Sequence, residues 1–392
     1  SNLLDTLSID QPEWCQLNTL EEAVNFCNKV GYPALIRPSY VLSGAAMRVV
    51  KNNNQLISYL KYSNLSSDYP VVISKFIEKS KEIELDGVAR NGEIVNYAIS
   101  EHVENAGVHS GDATLILPAQ KLYLETVKRI KKVSRLIAKN LNISGPFNIQ
   151  FLSKDNCIKV IECNLRASRS FPFVSKTYNI NFIEIATKIM CNQSFTPPPV
   201  NIYDMEYVCV KAPMFSFGRL PNADPVLGVE MASTGEVACF GEDIHDAFLK
   251  SIIAAGFKIP RKNILISIPS DINRFELKES LNILQSMDYK IYCTPTTSDF
   301  LSKNDITNTK LSYNDGEVFN FINNKKIDLV INIPRNGSNL TENNTNGYRL
   351  RTASIKSSIP LITNVKSASL LINSLRHYKK NGYTYKSWND YI

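Results

Sequence analysis

The sequence predicts an α/β protein in two parts, an α+β domain over residues 1–258 and a doubly wound parallel-sheet domain over 259–376, with a tail or linker over 377–392. Two observations carry this. In the first part, short strand-like runs gather around one hairpin, Pro146 to Phe151 and Ile158 to Asn164, joined by the polar turn Ser153-Lys154-Asp155-Asn156. After Phe257-Lys258-Ile259-Pro260, apolar strands alternate with helical stretches, which is the pattern of a parallel sheet.

Taken in order, Thr19-Leu20-Glu21-Glu22 is a capping box, and Gly31 stops the helix that follows it. Tyr32 to Pro38 reads as a short buried strand, with further strands at Val71 to Phe76, Glu82 to Ala89 and Ile94 to Ser100. A long helix is expected over 121–140, then the hairpin, then a helix from Phe182 to Cys191. Thr196-Pro197-Pro198-Pro199 suits a connector. Beyond 259, Asn263 to Ile268 is a continuous apolar strand and 276–287 a helix. The alternation continues through 290–293, 317–323, 328–333, 349–357, 361–363 and 367–375.

Hydrophobic residues make up 44% and charged residues 21%, the balance of an ordinary soluble globular chain. No apolar run reaches the length of a membrane span, no signal pattern opens the chain, and cytoplasmic location is expected. The start at Ser1 rather than Met suggests a piece of a longer protein. Basic residues from Lys128 to Lys139 interleave with an apolar stripe; without an RNA-binding motif, a solvated helix face is favoured over nucleic acid. Eight scattered cysteines, none in a Cys-x-x-Cys pair, read as reduced core thiols.

Alternation along a strand puts Glu162 and Asn164 on one face, and Gln150 sits among apolar neighbours in the partner strand. Hard oxygen donors of this kind suit Mg²⁺, and Arg166 and Arg169 follow at once with forks matched to phosphate. A solvated polar hairpin explains the same residues equally well. Arg37 to Met47 is a strand end running into small residues that would let backbone amides approach phosphate, although a plain loop accounts for it too. Glu101 to Asp112 holds His102 and His109 in a stretch without helical character; its Gly107-Val108-His109-Ser110-Gly111 core suits a loop beside a ligand better than a zinc site.

Together, Arg37 to Met47, Ser100 to Thr114, Gly145 to Gln150 and Val160 to Lys176 resemble the second ATP-grasp unit of the carbamoyl phosphate synthetase large subunit. Met231 to Val237 and Leu249 to Pro260 resemble the segment closing that unit, and the chain after about 260 resembles the family's methylglyoxal-synthase-like regulatory domain. The resemblance implies phosphorylation of carbamate with ATP and Mg²⁺ or Mn²⁺, giving carbamoyl phosphate for pyrimidine or arginine synthesis. It implies that Arg37, Lys75, Ile77, Glu82, Gly107, Val108, His109, Ser110, Gln150 and Glu162 bind ATP. Gln150, Glu162 and Asn164 would carry the metal, with Arg166, Arg169 and His109 in catalytic roles.

In the regulatory domain, Thr294, Thr297, Asn332 and Arg335 match effector-pocket positions. Arg335 stands where N-acetylglutamate-dependent members tend to have Asn, and a guanidinium favours phosphate, so UTP or UMP is the expected effector. The implied partners are an N-terminal half and a glutaminase, with neither nucleic acid nor membrane. The alternatives are a purely regulatory nucleotide-binding module and an ammonia-dependent, N-acetylglutamate-activated form.

Overall fold

The computed structural model describes residues 1–38, 46–62, 70–196, 205–220, 223–335, 345–382 and 384–392. Two units separate: 1–209 with 228–231 and 392, and 210–227 with 232–391. The body of the small-residue loop, 39–45, and the prolines 197–199 lie outside the described residues.

In the first unit, α1 (Asn2–Thr6) and β1 (Trp14–Leu17) precede α2 (Leu20–Val30), β2 (Ala34–Pro38), β3 (Arg48–Val50), α3 (Asn53–Tyr62) and β4 (Val71–Lys75). The expected capping box is formed: the Glu22 amide donates to Thr19 Oγ1 at 3.2 Å, and Glu22 Oε2 accepts from the Thr19 amide at 3.3 Å. These strands build a four-stranded sheet in the order β1-β4-β2-β3. Its core is Ala23, Cys27, Ala34, Ile36, Leu56 and Ile73, one apolar stripe from each element.

A second sheet follows from β5 (Lys81–Arg90), β6 (Glu93–Asn105), β7 (Leu115–Leu117), β8 (Gly145–Lys154) and β9 (Cys157–Asn164), with α4 (Leu124–Asn140) before the β8–β9 hairpin. Neighbours run β7-β6-β5-β8-β9, and β5 pairs antiparallel with both β6 and β8. One face packs Ile83, Leu85, Phe147, Ile149 and Phe151 under Ile130 and Ile137 of α4. Gly87 is required on β5, because a Cβ there would lie 2.6 Å from Phe147 Cζ. The opposite face is polar and carries Glu82, Glu84, Asp86, Asn148 and Gln150. Helices α5 (Phe171–Tyr178) and α6 (Phe182–Met190) complete the unit, and β10 (Val208–Met214) crosses the division at Cys209.

The second unit contains β11 (Gly235–Gly241), α7 (Ile244–Ala254), β12 (Asn263–Ser267), α8 (Asp271–Ser286), β13 (Lys290–Cys293), α9 (Pro295–Ser302), β14 (Thr309–Lys310), α10 (Glu317–Asn323), β15 (Leu329–Asn332), α11 (Asn346–Lys356), β16 (Leu361–Ile362) and α12 (Val365–Asn381). Strands β12–β16 form the expected parallel sheet in the order β14-β13-β12-β15-β16. The segment expected to be a tail behaves differently. Helix α12 runs on to Asn381, with Lys379 Nζ 4.4 Å from the centre of the Tyr289 ring. Farther on, Lys386 pairs with Glu242 at 2.7 Å and Lys250 donates to the Tyr391 hydroxyl at 3.2 Å.

Candidate active site and effector pocket

Register decides what the polar face of the hairpin sheet presents. Glu84 of β5 stands opposite Gln150, and Gln150 opposite Glu162; in the next row, Asp86 faces Asn148 and Asn148 faces Asn164. Paired residues share a face, so Gln150, Glu162 and Asn164 are neighbours as the hairpin reading requires. A bulge follows Gln150: Phe151 pairs with Val160 and leaves Ile161 without a partner position, sharpening the twist beside these three residues. Gln150 Nε2 donates to Ser110 Oγ at 3.3 Å, joining the hairpin to the 107–111 loop.

That loop is tightly fixed. Gly107 has φ +111°, and a Cβ there would meet Phe76 Cζ at 3.0 Å. The His109 amide donates to the Gly228 carbonyl at 2.8 Å, and His109 Nδ1 accepts from the Gly111 amide at 3.0 Å. The neutral ring therefore carries its proton on Nε2, a donor suited to an anion. Burial lowers the His109 pKa, against the nearby Asp112, Glu162 and Glu84 charges. At Gly111 a Cβ would lie within 3.2 Å of Met231 Sδ, Arg169 Nη1 and His109 Nδ1, so His109 and Arg169 converge on one point.

Arg166 and Arg169 are exposed on the turn after β9, and Arg166 Nη1 donates to the Ala167 carbonyl at 3.1 Å. Arg37 is half-buried on β2, in the other sheet of the unit. Lys75 ends β4 with its ammonium donating to the Gly31 and Tyr32 carbonyls at 3.0 and 2.9 Å. The Ile77 carbonyl accepts from Ser80 Oγ at 2.7 Å, just before β5 delivers Glu82. Val108 lies half-buried between Gly107 and His109.

On the same strand as the expected Glu82 stand two further buried acids, Glu84 and Asp86, which no sequence motif marked. Glu82, Glu84 and Asp86 are at most 5% exposed, and strand alternation puts all three on one face. Burial, reinforced by Glu84 and Glu162 and opposed by His102, pushes Glu82 up to about 7. His102 Nε2 lies 2.9 Å from Glu84 Oε1; burial opposes its charged form, but Glu82 and Glu84 outweigh that and raise its pKa. Burial and the Glu84 charge push Asp86 up to about 6, although Ser168, Asn148 and Ser170 all donate to it.

The donor chemistry of the hairpin fits a hard cation. One carboxylate and two amides are half-buried on a single face, a set that leaves positions for phosphate oxygens. Among the described residues, no group of three His, Cys, Asp or Glu side chains is placed to hold a metal ion.

In the second unit, the sheet order reverses between β12 and β15, the switch point where doubly wound sheets hold ligands at the carboxyl ends of their strands. Ser267, Thr294 and Asn332 stand at those ends. Thr294 Oγ1 donates to Ser267 Oγ at 3.2 Å, and Asn332 Nδ2 to the Ser267 carbonyl at 3.3 Å. Thr297 is fully buried, its hydroxyl bonded to the Ile268 backbone at 2.9 and 3.2 Å. Arg335 is exposed after β15. The guanidinium that reaches Asn332 is Arg351, at 2.8 Å, and it also grips Asp224 through two bonds of 2.5 and 2.6 Å. Nothing in the local sequence marks this contact, which spans 127 residues.

Family comparison agrees with the geometry. Residues 5–196 match the carbamoyl-phosphate synthase L chain ATP binding domain, and residues 276–363 match the MGS-like domain. The chain belongs to the carbamoyl-phosphate synthase family. It is 52% identical to multifunctional protein URA2 of Saccharomyces cerevisiae, covering 96% of this chain and 18% of that protein. It is 51% identical to multifunctional protein pyr1-3 of Dictyostelium discoideum (97% and 17%), and 46% identical to the mitochondrial ammonia-type carbamoyl-phosphate synthase of Rattus norvegicus (96% and 26%). The chain thus spans about a fifth of the length of these two multifunctional relatives. An ADP complex of N5-carboxyaminoimidazole ribonucleotide synthetase aligns at TM-score 0.51 and 13% identity, over 65% of this chain and 69% of that one. The first part is therefore an ATP-grasp fold, and the ATP-binding domain and MGS-like domain follow in the expected order. Among the described residues, no helix is long and apolar enough to cross a membrane.

Proposed function

We propose that the chain is the carbamate-phosphorylating part of a carbamoyl-phosphate synthase of the pyrimidine-pathway kind, an ATP-dependent carbon–nitrogen ligase. The observation that carries this is the single face on which Gln150, Glu162 and Asn164 stand beside Ser110, within a chain matching the family over 5–196. ATP would lie over that face, with Lys75, Ile77 and Glu82 on the adenosine side and Arg37 and the 107–110 loop around the phosphates. Gln150, Glu162 and Asn164 would hold Mg²⁺ or Mn²⁺, which when bound screens phosphate charge. Phosphoryl transfer is mostly positioning and electrostatics, and this chain supplies both. Arg166 and Arg169 offer forks to the charge that develops on the transferred group, and His109 Nε2–H donates to a phosphate oxygen.

The functional division is 1–258, 259–376 and 377–392, which assigns β10, β11 and α7 to the ATP-grasp part. The MGS-like domain binds a nucleotide effector, UTP or UMP, at Thr294, Thr297, Asn332 and Arg335. An N-terminal half and a glutaminase supply the carbamate in the cytoplasm. The 52% and 51% identity to URA2 and pyr1-3, against 46% to the ammonia type, supports this choice, although multifunctional protein CAD of Squalus acanthias is also at 46%. ATP formation from carbamoyl phosphate and MgADP tests the reading on this site alone. The chain should make ATP and Glu162→Ala should not; equal rates would remove Glu162 from the metal.

A further inference from the structure

The turn between β9 and α5 carries both arginines, yet their side chains are exposed, so their aim depends on how residues 165–170 are held. The tether is chiefly one carboxylate, although Ser170 Oγ also lies 2.9 Å from Ser168 Oγ and 3.5 Å from Glu84 Oε2. Asp86 is 1% exposed, and its Oδ1 accepts from Ser168 Oγ at 2.6 Å while its Oδ2 accepts from Ser170 Oγ at 2.8 Å. These serines flank Arg169. Asn148 Nδ2 donates to Oδ1 as well, at 2.9 Å, fixing the carboxylate from the neighbouring strand.

Glu84, one strand pitch away, has His102 as an ion-pair partner. The hydrogen-bond partners of Asp86 among the described residues are all neutral: two hydroxyls and an amide. A buried carboxylate without a cation costs stability, so a fold that needed only to fill this space would do better with an apolar residue. What the carboxylate offers is two acceptor oxygens in one plane, which can take both serine hydroxyls at once.

We propose that Asp86 is a positioning residue for phosphoryl transfer: by accepting Ser168 and Ser170 together, it fixes the turn that aims Arg166 and Arg169 at the transferring group. This rests on the reading of those arginines given above. It assigns Asp86 no contact with substrate and makes the two serines its only route to the chemistry.

Asp86→Asn tests it without changing size, since one serine then faces an NH₂ group instead of an acceptor. In the reaction of carbamoyl phosphate with MgADP, kcat should fall roughly 10- to 100-fold, the scale set by small misplacement of reacting groups. KM for MgADP should stay within about twofold, because the turn does not hold the adenosine. Ser168→Ala/Ser170→Ala should reproduce the loss, and adding Asp86→Asn to it should cost little more, as residues acting through one contact are not additive. A full extra loss in the triple variant would overturn the proposal. Hydrogen exchange supplies an arm independent of turnover. Amides of 165–170 should exchange faster in Asp86→Asn while those of β5 do not, and unchanged exchange at 165–170 would also overturn it. An inactive parent chain whose turn still loosens in Asp86→Asn would sink the catalytic reading and leave the tether standing.

Discussion

Glu82→Gln should change how the stability of the first unit depends on pH. In the folded protein Glu82 is 5% exposed and its carboxyl is pushed up to about 7 by burial, from an ordinary value of 4.5. An acid with a raised folded pKa binds more protons folded than unfolded between those two values. Stability is therefore greatest below about 4.5 and falls as pH rises toward 7. At about 1.4 kcal/mol per pH unit, the gap between 4.5 and about 7 gives a loss of about 3 kcal/mol, complete by pH 8. His102 acts in the same direction. Its folded pKa is raised, so its contribution is present below 6.5 and lost as pH climbs through the folded value, and Glu82 is the leading charge that raises it.

The variant keeps the volume and removes the charge, so it should lose the Glu82 dependence and part of that from His102. Asp86, pushed up to about 6, leaves a residual slope in both proteins, so the decisive quantity is their difference. Urea unfolding would be followed by Trp14 fluorescence in a Trp388→Phe background, because Trp14 lies in the first unit. Between pH 4.5 and 8 the parent should lose about 3 kcal/mol more than Glu82→Gln. Parallel stability curves would refute the claim that burial charges the folded state for ionising Glu82.

In the second unit, Arg351→Ala should cost roughly 3–5 kcal/mol, read by Trp388 fluorescence in urea, because it strands the Asp224 carboxylate it now clasps. A cost under about 1 kcal/mol would show that water takes over the guanidinium's role. Gly241→Ala would put a Cβ 2.3 Å from the Ala247 amide nitrogen, so the start of α7 must shift; thermal unfolding should show a loss of about 2 kcal/mol or more. For Arg335→Ala, UTP titration should show a weakened response with the saturated rate unchanged, and an unaltered response would remove Arg335 from the effector pocket.

How much of this could be read beforehand follows sequence distance and local signal. The hairpin was legible because Ser153 to Asn156 marks its turn and period-2 alternation marks its strands, so Gln150, Glu162 and Asn164 came out on one face. The capping box at Thr19 and the apolar run at β12 were equally local. Strands as short as β3 and β7, three residues each, carry too little periodicity to stand out, and α3 begins on asparagines that are poor helix formers. Helix α9 is only eight residues long, and its start signal is Pro295 at the first helical position.

The site divides the same way. Glu82-Ile83-Glu84-Leu85-Asp86 alternates acid and apolar, and that pattern alone puts three acids on one face of a strand. Which face is buried depends on α4, whose Ile130 and Ile137 cover the apolar side while the acidic side receives Asn148 from β8. The contacts that give buried acids their work are longer still: 82 residues from Asp86 to Ser168 and, in the second unit, 127 from Asp224 to Arg351. No window of sequence contains both partners, and neither residue type announces the other. Donor sets on one hairpin can be read from spacing, whereas a buried charge is defined by what the rest of the chain brings to it.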